Sequence, residues 1–252
     1  MKFFKVHIIS LYALLIIAFS ACNSSSYKIS NSEVNYILID SLVGYDQGLE
    51  DEIKPYRDSL KAEMLKVIGT AAEELTGGLP ESLLSNFVCD LVLEESRSLK
   101  ATVNPDVSIV NVKGLRIPIS KGPITVESVF QLMPFENELV YLTLSKQQIT
   151  ELFNFMASVG GDGIAGASFG IKNKQAVDVK VNGKALEDRE YVVVTSDYLA
   201  DGGDHFTVFQ SAIAREGSGL KVRDAIVQHI QKQTSANKNI ESQLDRRIYH
   251  AD

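Results

Sequence analysis

The chain contains few of the residues that metal and disulfide chemistry require. Its 252 residues include four histidines and two cysteines. One histidine, His7, lies in the apolar N-terminal stretch, and no Asp-x-His, Gly-Asn-His, His-x-His or His-x-x-His pattern occurs. Two-metal hydrolysis of phosphoesters needs several histidines and carboxylates around two neighbouring cations. The sequence therefore predicts that this chain does not hold a binuclear metal centre of its own.

Other catalytic and binding signatures are missing or misplaced. No Gly-x-x-x-x-Gly-Lys-Ser/Thr loop for triphosphates occurs. Residues 166–170 spell Gly-x-Ser-x-Gly, but a serine-hydrolase elbow lies between a strand and a helix. A glycine-rich stretch precedes this one and a strand is expected after it, so we attribute the match to chance. The net charge of −7, without a basic stripe carrying aromatics, argues against nucleic-acid binding.

The N-terminus has the pattern of an export signal. Lys2 and Lys5 precede an apolar stretch at residues 8–19 that is short for a membrane span. The small residues that follow lead to Cys22 and resemble a bacterial lipoprotein cleavage box. We therefore expect residues 1–21 to be a lipoprotein signal peptide and residues 22–34 a polar tether. A plain secretory signal cut after residue 21 is the alternative.

Lipidation of Cys22 predicts an exported protein held at a membrane by its acyl chains, since stable anchoring needs more than one chain. Of the two cysteines, Cys89 alone would then keep a free thiol. An intrachain disulfide is then excluded, and Cys89 is expected to be a small residue of the core.

Helical and strand patterns interleave between the tether and the C-terminus. Helical spacing occurs at residues 53–68, 81–96 and 222–231, and Ser145 with Gln148 forms a capping box before a fourth helix. Strand patterns occur at residues 36–39, 107–112, 139–144, 177–181 and 191–195. Asn182-Gly183 indicates a hairpin. We predict a mixed α/β (α+β) fold with a mixed β-sheet and packed helices over residues 35–232, followed by a polar, loosely ordered tail at 233–252.

The segment at residues 196–206 contains several side chains that could bind a ligand. It follows the β-branched run at 192–195 and places Tyr198, Asp204 and His205 around two adjacent glycines. Glycines let a backbone turn sharply and approach a ligand closely, and ligand groups often lie on loops beside a sheet. A plain Asp-Gly-Gly surface turn is the alternative.

Four segments in order resemble the C-terminal domain of 5′-nucleotidases and UDP-sugar hydrolases, over roughly residues 35–230. Residues 111–116 are similar to the family's Asn-Gly-Gly-Gly-Ile-Arg, and residues 198–204 resemble Phe-Leu-Ala-x-Gly-Gly-Asp. Residues 122–125 with 132–135 match closely, and residues 81–87 resemble Glu-x-x-Leu-Gly-Asn-Leu. Complete members have a metal-bearing phosphoesterase domain followed by this domain, which binds the nucleoside.

The resemblance implies a role for five residues. Phe135 and Tyr198 match the two aromatics that sandwich the base, and stacking of this kind tolerates different bases. Asp204 matches the residue for the ribose hydroxyls, Arg116 the one for ribose or phosphate oxygens, and Asn111 one for base or sugar. An ordinary core aromatic is the alternative for Phe135, and a surface salt bridge is the alternative for Arg116.

The chain also departs from the family pattern. Gly78 lies where members often carry an arginine, and Val112 and Lys113 replace two glycines. His205 likewise replaces a glycine. These changes predict weaker phosphate or ribose contact and a more crowded loop after Asn111.

The sequence thus predicts a nucleoside- or nucleotide-binding domain that works with a separate metallophosphoesterase chain. Divalent metals are expected only in that partner, and this chain is expected to bind no cofactor. A stand-alone hydrolase of the same family is one alternative. The other is a non-catalytic surface lipoprotein that binds nucleosides or another protein.

Overall fold

The computed structural model describes residues 27–37, 44, 46–99 and 103–252. The predicted signal peptide and Cys22 lie outside these residues. Residues 27–37 are exposed and have no regular secondary structure, which includes the first two residues of the strand expected at 36–39; its other two are outside the described residues. The chain divides after residue 50 into two units. None of the described helices has the length and hydropathy needed to cross a membrane.

The helices and strands alternate along most of the chain. The helices are α1 Gln47–Met64, α2 Leu83–Leu99, α3 Val126–Leu132, α4 Lys146–Ser158, α5 Asp197–Ala200 and α6 Val222–Ser235. The strands are β1 Val67–Ala71, β2 Val107–Val110, β3 Gly122–Thr125, β4 Glu138–Leu144, β5 Gly163–Ala165, β6 Ala167–Lys172, β7 Gln175–Val181, β8 Lys184–Ala185, β9 Tyr191–Ser196, β10 Ala214–Lys221 and β11 Ile248–His250. Three short 3₁₀ turns lie at Val112–Gly114, Gly203–His205 and Thr207–Ser211.

A five-stranded sheet in the order β10-β4-β9-β2-β5 forms the centre of the second unit. Strand β9 runs parallel to β2 and antiparallel to β4, so the sheet is mixed, as the sequence predicts. Two further sheets are present among the described residues, β1-β3 and β11-β6-β7-β8. The expected hairpin at Asn182-Gly183 joins β7 and β8.

Successive residues of the central strands enter opposite halves of the core. On β9, Val193 packs in one hydrophobic cluster and Val194 in the other. On β4, Leu142 and Tyr141 divide in the same way. Side chains alternate between the two faces of a strand, so both faces of this sheet are covered. Helices α2 and α6 contribute to one cluster and α4 to the other.

The predicted capping box of α4 is present, and a second box caps α3. The Ser145 hydroxyl accepts from the Gln148 amide at 3.2 Å, and the Gln148 side chain accepts from the Ser145 amide at 2.8 Å. Thr125 caps α3 in the same reciprocal way with Ser128. Each box satisfies backbone donors that the first helical turn would otherwise leave unpaired.

The first helix differs from its predicted extent of 53–68. Helix α1 begins at Gln47 and ends at Met64, and β1 begins at Val67. The apolar spacing continues to Val67, but β1 pairs with β3, with Val67 opposite Thr125. This long-range pairing decides the conformation of residues 67–71, and helical periodicity does not reveal it.

The expectation of a loosely ordered tail at 233–252 is wrong. Helix α6 continues to Ser235, and the buried Ile240 accepts from and donates to the backbone beside β1. Strand β11 pairs in parallel with β6. Only a few apolar residues anchor this polar segment, which is too sparse a pattern to predict order from sequence.

Arg247 fixes the same segment through hydrogen bonds. Its guanidinium donates to both carboxylate oxygens of Asp90 at 2.8 and 3.1 Å and to those of Asp245 at 2.9 and 2.8 Å. It also donates to the Ile164 carbonyl at 3.0 Å. Arg247 is buried, so these acceptors replace water around its charge.

Replacing Arg247 by alanine should therefore lower the free energy of unfolding by about 2 kcal/mol, because charge-assisted hydrogen bonds are lost while the carboxylates rehydrate. Urea unfolding measures the change. Arg246→Ala is the matched control, since Arg246 is exposed and its guanidinium lies 5.1 Å from the centre of the Tyr249 ring; it should cost less than about 1 kcal/mol. Equal losses in the two variants would contradict the anchoring role.

Candidate functional site

Three loops leave the central sheet at the same end. Because β2 and β9 are parallel, their carboxyl ends lie together, and residues 111–116 and 197–206 follow them. Leu139 of β4 pairs with Ser196 of the antiparallel β9. The residues before β4, 133–137, therefore also emerge at this end. The sheet thus gathers all three segments that carry the predicted site residues.

Tyr198, Asp204 and Asn111 are joined by hydrogen bonds. The Tyr198 hydroxyl donates to Asp204 Oδ1 at 3.0 Å, and the Asn111 side-chain amide donates to Asp204 Oδ2 at 2.7 Å. The Asp204 amide in turn donates to the Tyr198 hydroxyl at 3.3 Å. The carboxylate is therefore oriented by donors from two loops.

The two glycines before Asp204 are required by the backbone. Gly202 has φ +90°, a conformation that L side chains rarely adopt. A Cβ on Gly203 would lie 2.5 Å from Tyr198 Cζ and 2.6 Å from the Tyr198 carbonyl oxygen. Asp204 and His205 themselves have φ +48° and +68°. The glycines thus let the chain fold back over the Tyr198 ring.

Polar contacts also hold the start of α5. The Ser196 hydroxyl accepts from the Leu199 amide at 3.2 Å. Asp197 Oδ1 accepts from the Tyr198 amide at 2.7 Å and from the Asn137 side-chain amide at 2.8 Å. Asn137 follows Phe135 by two residues, so this bond links the loop of Phe135 to that of Tyr198.

Both predicted stacking aromatics are exposed. Phe135 is 42% exposed and Tyr198 44%. The alternative that Phe135 is an ordinary core aromatic is therefore wrong. Next to it, Lys221 and then Arg223 form hydrogen bonds with Glu136 that lower the pKa of this carboxyl to about 2. Arg223 also lies over the Phe130 ring at 4.1 Å.

Arg116 lies beside the loop of Phe135. Its amide donates to the Leu132 carbonyl at 2.9 Å, at the end of α3. Its guanidinium is exposed and donates to the Lys113 carbonyl at 3.4 Å. It forms no ion pair with any carboxylate in the described part of the chain, so the alternative of a surface salt bridge has no support there.

The structure adds one residue that the sequence did not reveal, Asp162. Its Oδ1 accepts from the Val112 amide at 2.6 Å and from the Gly163 amide at 2.9 Å. Burial raises the pKa of Asp162 to about 6, with a smaller contribution from Asp204, although the two amides and Lys113 oppose the rise. The surrounding Gly160-Gly161-Asp162-Gly163 looked only like a helix end, and nothing in that pattern pointed to residue 112.

Among the described residues, Glu94, Glu95 and His229 form a group that could hold a metal ion, with ligand atoms within 4.8 Å of one another. Lys232 donates to Glu94 at 2.8 Å and to Glu95 at 3.2 Å. His229 Nδ1 lies 2.8 Å from Glu95. The contacts join α2 to α6, and a cation would have to displace the ammonium group of Lys232.

Comparison with known proteins agrees with this architecture. The family model described as 5′-nucleotidase, C-terminal domain, matches residues 67–211. The chain belongs to this family. The match spans β1 to the 3₁₀ turn at Thr207–Ser211 and contains every predicted residue of the nucleoside site.

Relatives of the domain are longer proteins. The trifunctional nucleotide phosphoesterase YfkN of Bacillus subtilis is 26% identical over 80% of this chain and 15% of its own length. A 5′-nucleotidase of Vibrio parahaemolyticus is 20% identical over 81% of this chain and 37% of its own. The structure of a 5′-nucleotidase precursor from Thermus thermophilus matches with TM-score 0.67 and 26% identity, over 81% of this chain and 43% of that one. The chain therefore spans less than half the length of these relatives.

The close approach of Gly203 to Tyr198 can be tested by Gly203→Ala. The added Cβ must displace the Tyr198 ring or backbone, so we expect a loss of stability of about 1–3 kcal/mol and an altered tyrosine signal in near-ultraviolet circular dichroism. Gly78→Ala is the control, since its nearest neighbour, Ser82 Cβ, would be 3.9 Å away. An unchanged tyrosine signal in Gly203→Ala would argue against the described packing.

Proposed function

We propose that this 5′-nucleotidase C-terminal domain binds the nucleoside part of a nucleotide. The observation that carries the proposal is the position of Phe135 and Tyr198, two exposed aromatics on loops from one end of the sheet, beside the oriented Asp204 carboxylate. Each ring offers a flat apolar face that a stacked ligand would cover. A flat heterocycle is a suitable occupant, because aromatic stacking stabilises each base by about 1–3 kcal/mol.

Asp204 is suited to the ribose hydroxyls. Its two oxygens accept from Tyr198 and Asn111, but an ionised carboxylate has about four acceptor positions. Vicinal hydroxyls can therefore donate to it without displacing either residue. Arg116 is exposed at the same end of the sheet, where its planar guanidinium can bind ribose or phosphate oxygens.

The residues that replace family glycines are compatible with binding. A Cβ on Gly77 would lie 3.7 Å from Val112 Cγ1, so the Val112 side chain points toward the loop before α2. Lys113 is exposed. Gly78 lies in the same loop as Gly77, which places the position of the missing arginine next to the 111–114 turn. We therefore expect nucleoside recognition to persist with weaker phosphate contact.

We further propose that a separate metallophosphoesterase chain supplies the catalytic metals. The basis is the lack of dinuclear metal motifs in this sequence. Divalent cations would then be bound by the partner, which cleaves the phosphate while this domain holds the nucleoside. Export and lipidation at Cys22 would place the complex at a membrane surface, where it would act in nucleotide catabolism.

Stacking predicts a specific loss of affinity. Phe135→Ala and Tyr198→Ala should each weaken adenosine binding about 5- to 150-fold, the equivalent of one stacked base. Tyr198→Phe keeps the ring and should lose less, because only the two hydrogen bonds of the hydroxyl with Asp204 disappear. Isothermal titration calorimetry measures the dissociation constants, and Tyr56→Ala, a 77% exposed tyrosine on α1, is the control. Unchanged affinity in both alanine variants would remove the stacking assignment.

The proposal that this chain binds the nucleoside while a partner chain cleaves the phosphate can be tested by mixing the two proteins. The purified chain should release no phosphate from AMP above background with Mn²⁺ or Zn²⁺. Addition to an exported metallophosphoesterase chain that carries Asp-x-His and Gly-Asn-His patterns should raise the rate of AMP hydrolysis. The Phe135→Ala/Tyr198→Ala double variant should not raise it, and chelation should abolish it. If the wild type gives no gain either, the chain acts without such a partner, as a nucleoside-binding or protein-interaction lipoprotein.

A further inference from the structure

We propose that Asp162 is a positioning residue for the nucleoside site, holding the 111–114 turn so that Asn111 is free to orient Asp204. This inference rests on the proposed function for its effect on ligand binding. Its structural part, the fixing of the turn, can be tested whether or not the domain binds a nucleoside.

Asp162 binds the first amide of the 111–114 turn, which the side chain of the N-cap Asn111 leaves uncapped. Asn111 precedes the 3₁₀ turn Val112–Gly114 as its N-cap, yet its side chain makes no capping hydrogen bond. An asparagine at this position usually accepts from an amide of the turn. Here its side-chain amide donates to Asp204 at 2.7 Å, and the Val112 amide donates to Asp162 at 2.6 Å. A carboxylate from a distant segment thus satisfies the turn and leaves Asn111 to the site.

The segment of Asp162 is itself held firmly. Gly163 pairs with Val110 at the end of β2, which places Asp162 beside Asn111 across the strand ladder. A Cβ on Gly163 would lie 2.4 Å from the Val110 carbonyl oxygen, and one on Gly161 would lie 2.7 Å from the Pro80 carbonyl oxygen. These approaches leave little room for the segment to shift. Asp162 can therefore hold the turn in a fixed position relative to the sheet.

Three hydrogen bonds connect Asp162 to Tyr198 through the 111–114 turn. Asp162 holds the Val112 amide, the adjacent Asn111 donates to Asp204, and Asp204 accepts from Tyr198. Loss of the first contact would free the turn that carries Asn111 and with it one of the two donors on Asp204. The affinity for a ribose-containing ligand should then fall, since binding must order the loop again.

The surroundings also make the contact sensitive to pH. Asp204, Lys113 and the Cys89 thiol face Asp162, and burial raises the pKa of Cys89, so this thiol is neutral. With a pKa of about 6, Asp162 is ionised at pH 7.5 and protonated at pH 5. Charge-assisted hydrogen bonds are stronger than neutral ones. Nucleoside affinity should therefore fall as the pH drops through about 6.

Two substitutions separate the acceptor from the charge. Asp162→Ala removes both, whereas Asp162→Asn retains a carbonyl oxygen that accepts from the Val112 amide. Asp188→Ala, an exposed acid distant from the site in sequence, is the control. Adenosine dissociation constants are measured by calorimetry from pH 5 to 8, and amide hydrogen exchange is followed for residues 111–114.

Asp162→Ala should weaken adenosine binding about tenfold or more at pH 7.5, as expected for loss of a charge-assisted hydrogen bond, and should speed exchange of the Val112 amide. Asp162→Asn should stay within about threefold of the wild type in affinity and lose the pH dependence near 6. Wild-type affinity and exchange in Asp162→Ala would overturn the proposal.

The outcomes distinguish this inference from the proposed function. If the wild type binds no adenosine, the proposed function fails, and hydrogen exchange at Val112 alone decides the role of Asp162. If Asp162→Ala does not fold, exchange in Asp162→Asn and in the wild type across pH 6 decides it. In that case, exchange of the Val112 amide is compared between the wild type and Asp162→Asn on both sides of pH 6. The proposal is overturned if the wild type does not exchange faster, relative to Asp162→Asn, below pH 6.

Discussion

The pairing of β9 with its two neighbours is the constraint on which the site depends. Parallel pairing with β2 and antiparallel pairing with β4 bring three loops, distant in sequence, to one end of the sheet. The strands can hold them there because both faces of the sheet are buried. A one-residue slip of β9 would exchange Val193 and Val194 between the two core clusters, so packing fixes the register. The site is therefore as well defined as the core beneath it.

Much of the fold can be predicted from local sequence patterns. The elements that could not be predicted all depend on contacts with distant parts of the chain. Periodicity and cap chemistry predict the helix at residues 81–96, the strands at 139–144 and 191–195 and the capping box at Ser145, each within a few residues. Strand β1, the order of residues 236–252 and the contact of Asp162 with Val112 depend on partners far along the chain. Short, weakly apolar segments acquire their conformation from such partners, and no local pattern encodes it.

The candidate site shows the same division. A resemblance carried by short motifs identified five candidate site residues: Phe135, Tyr198, Asp204, Arg116 and Asn111. The structure places them on loops at one end of the sheet. Their order along the chain said nothing about which would touch. Asn111 and Tyr198 converge on Asp204 only because Gly203 lets the backbone fold against the Tyr198 ring. The Arg116 guanidinium is exposed and donates to the Lys113 carbonyl at 3.4 Å, which leaves donors for the proposed ligand.

The replacements in the 111–114 turn can be understood together with Asp162. A glycine-rich turn relies on backbone freedom to approach a ligand, whereas Val112 and Lys113 restrict that freedom. The Asp162 carboxylate accepts from the Val112 amide, and the Val112 side chain lies toward Gly77. If Asp162 holds the turn as proposed, less conformational entropy would be lost when a ligand binds. On this argument the departures from the family pattern alter how the loop is ordered more than what it can recognise.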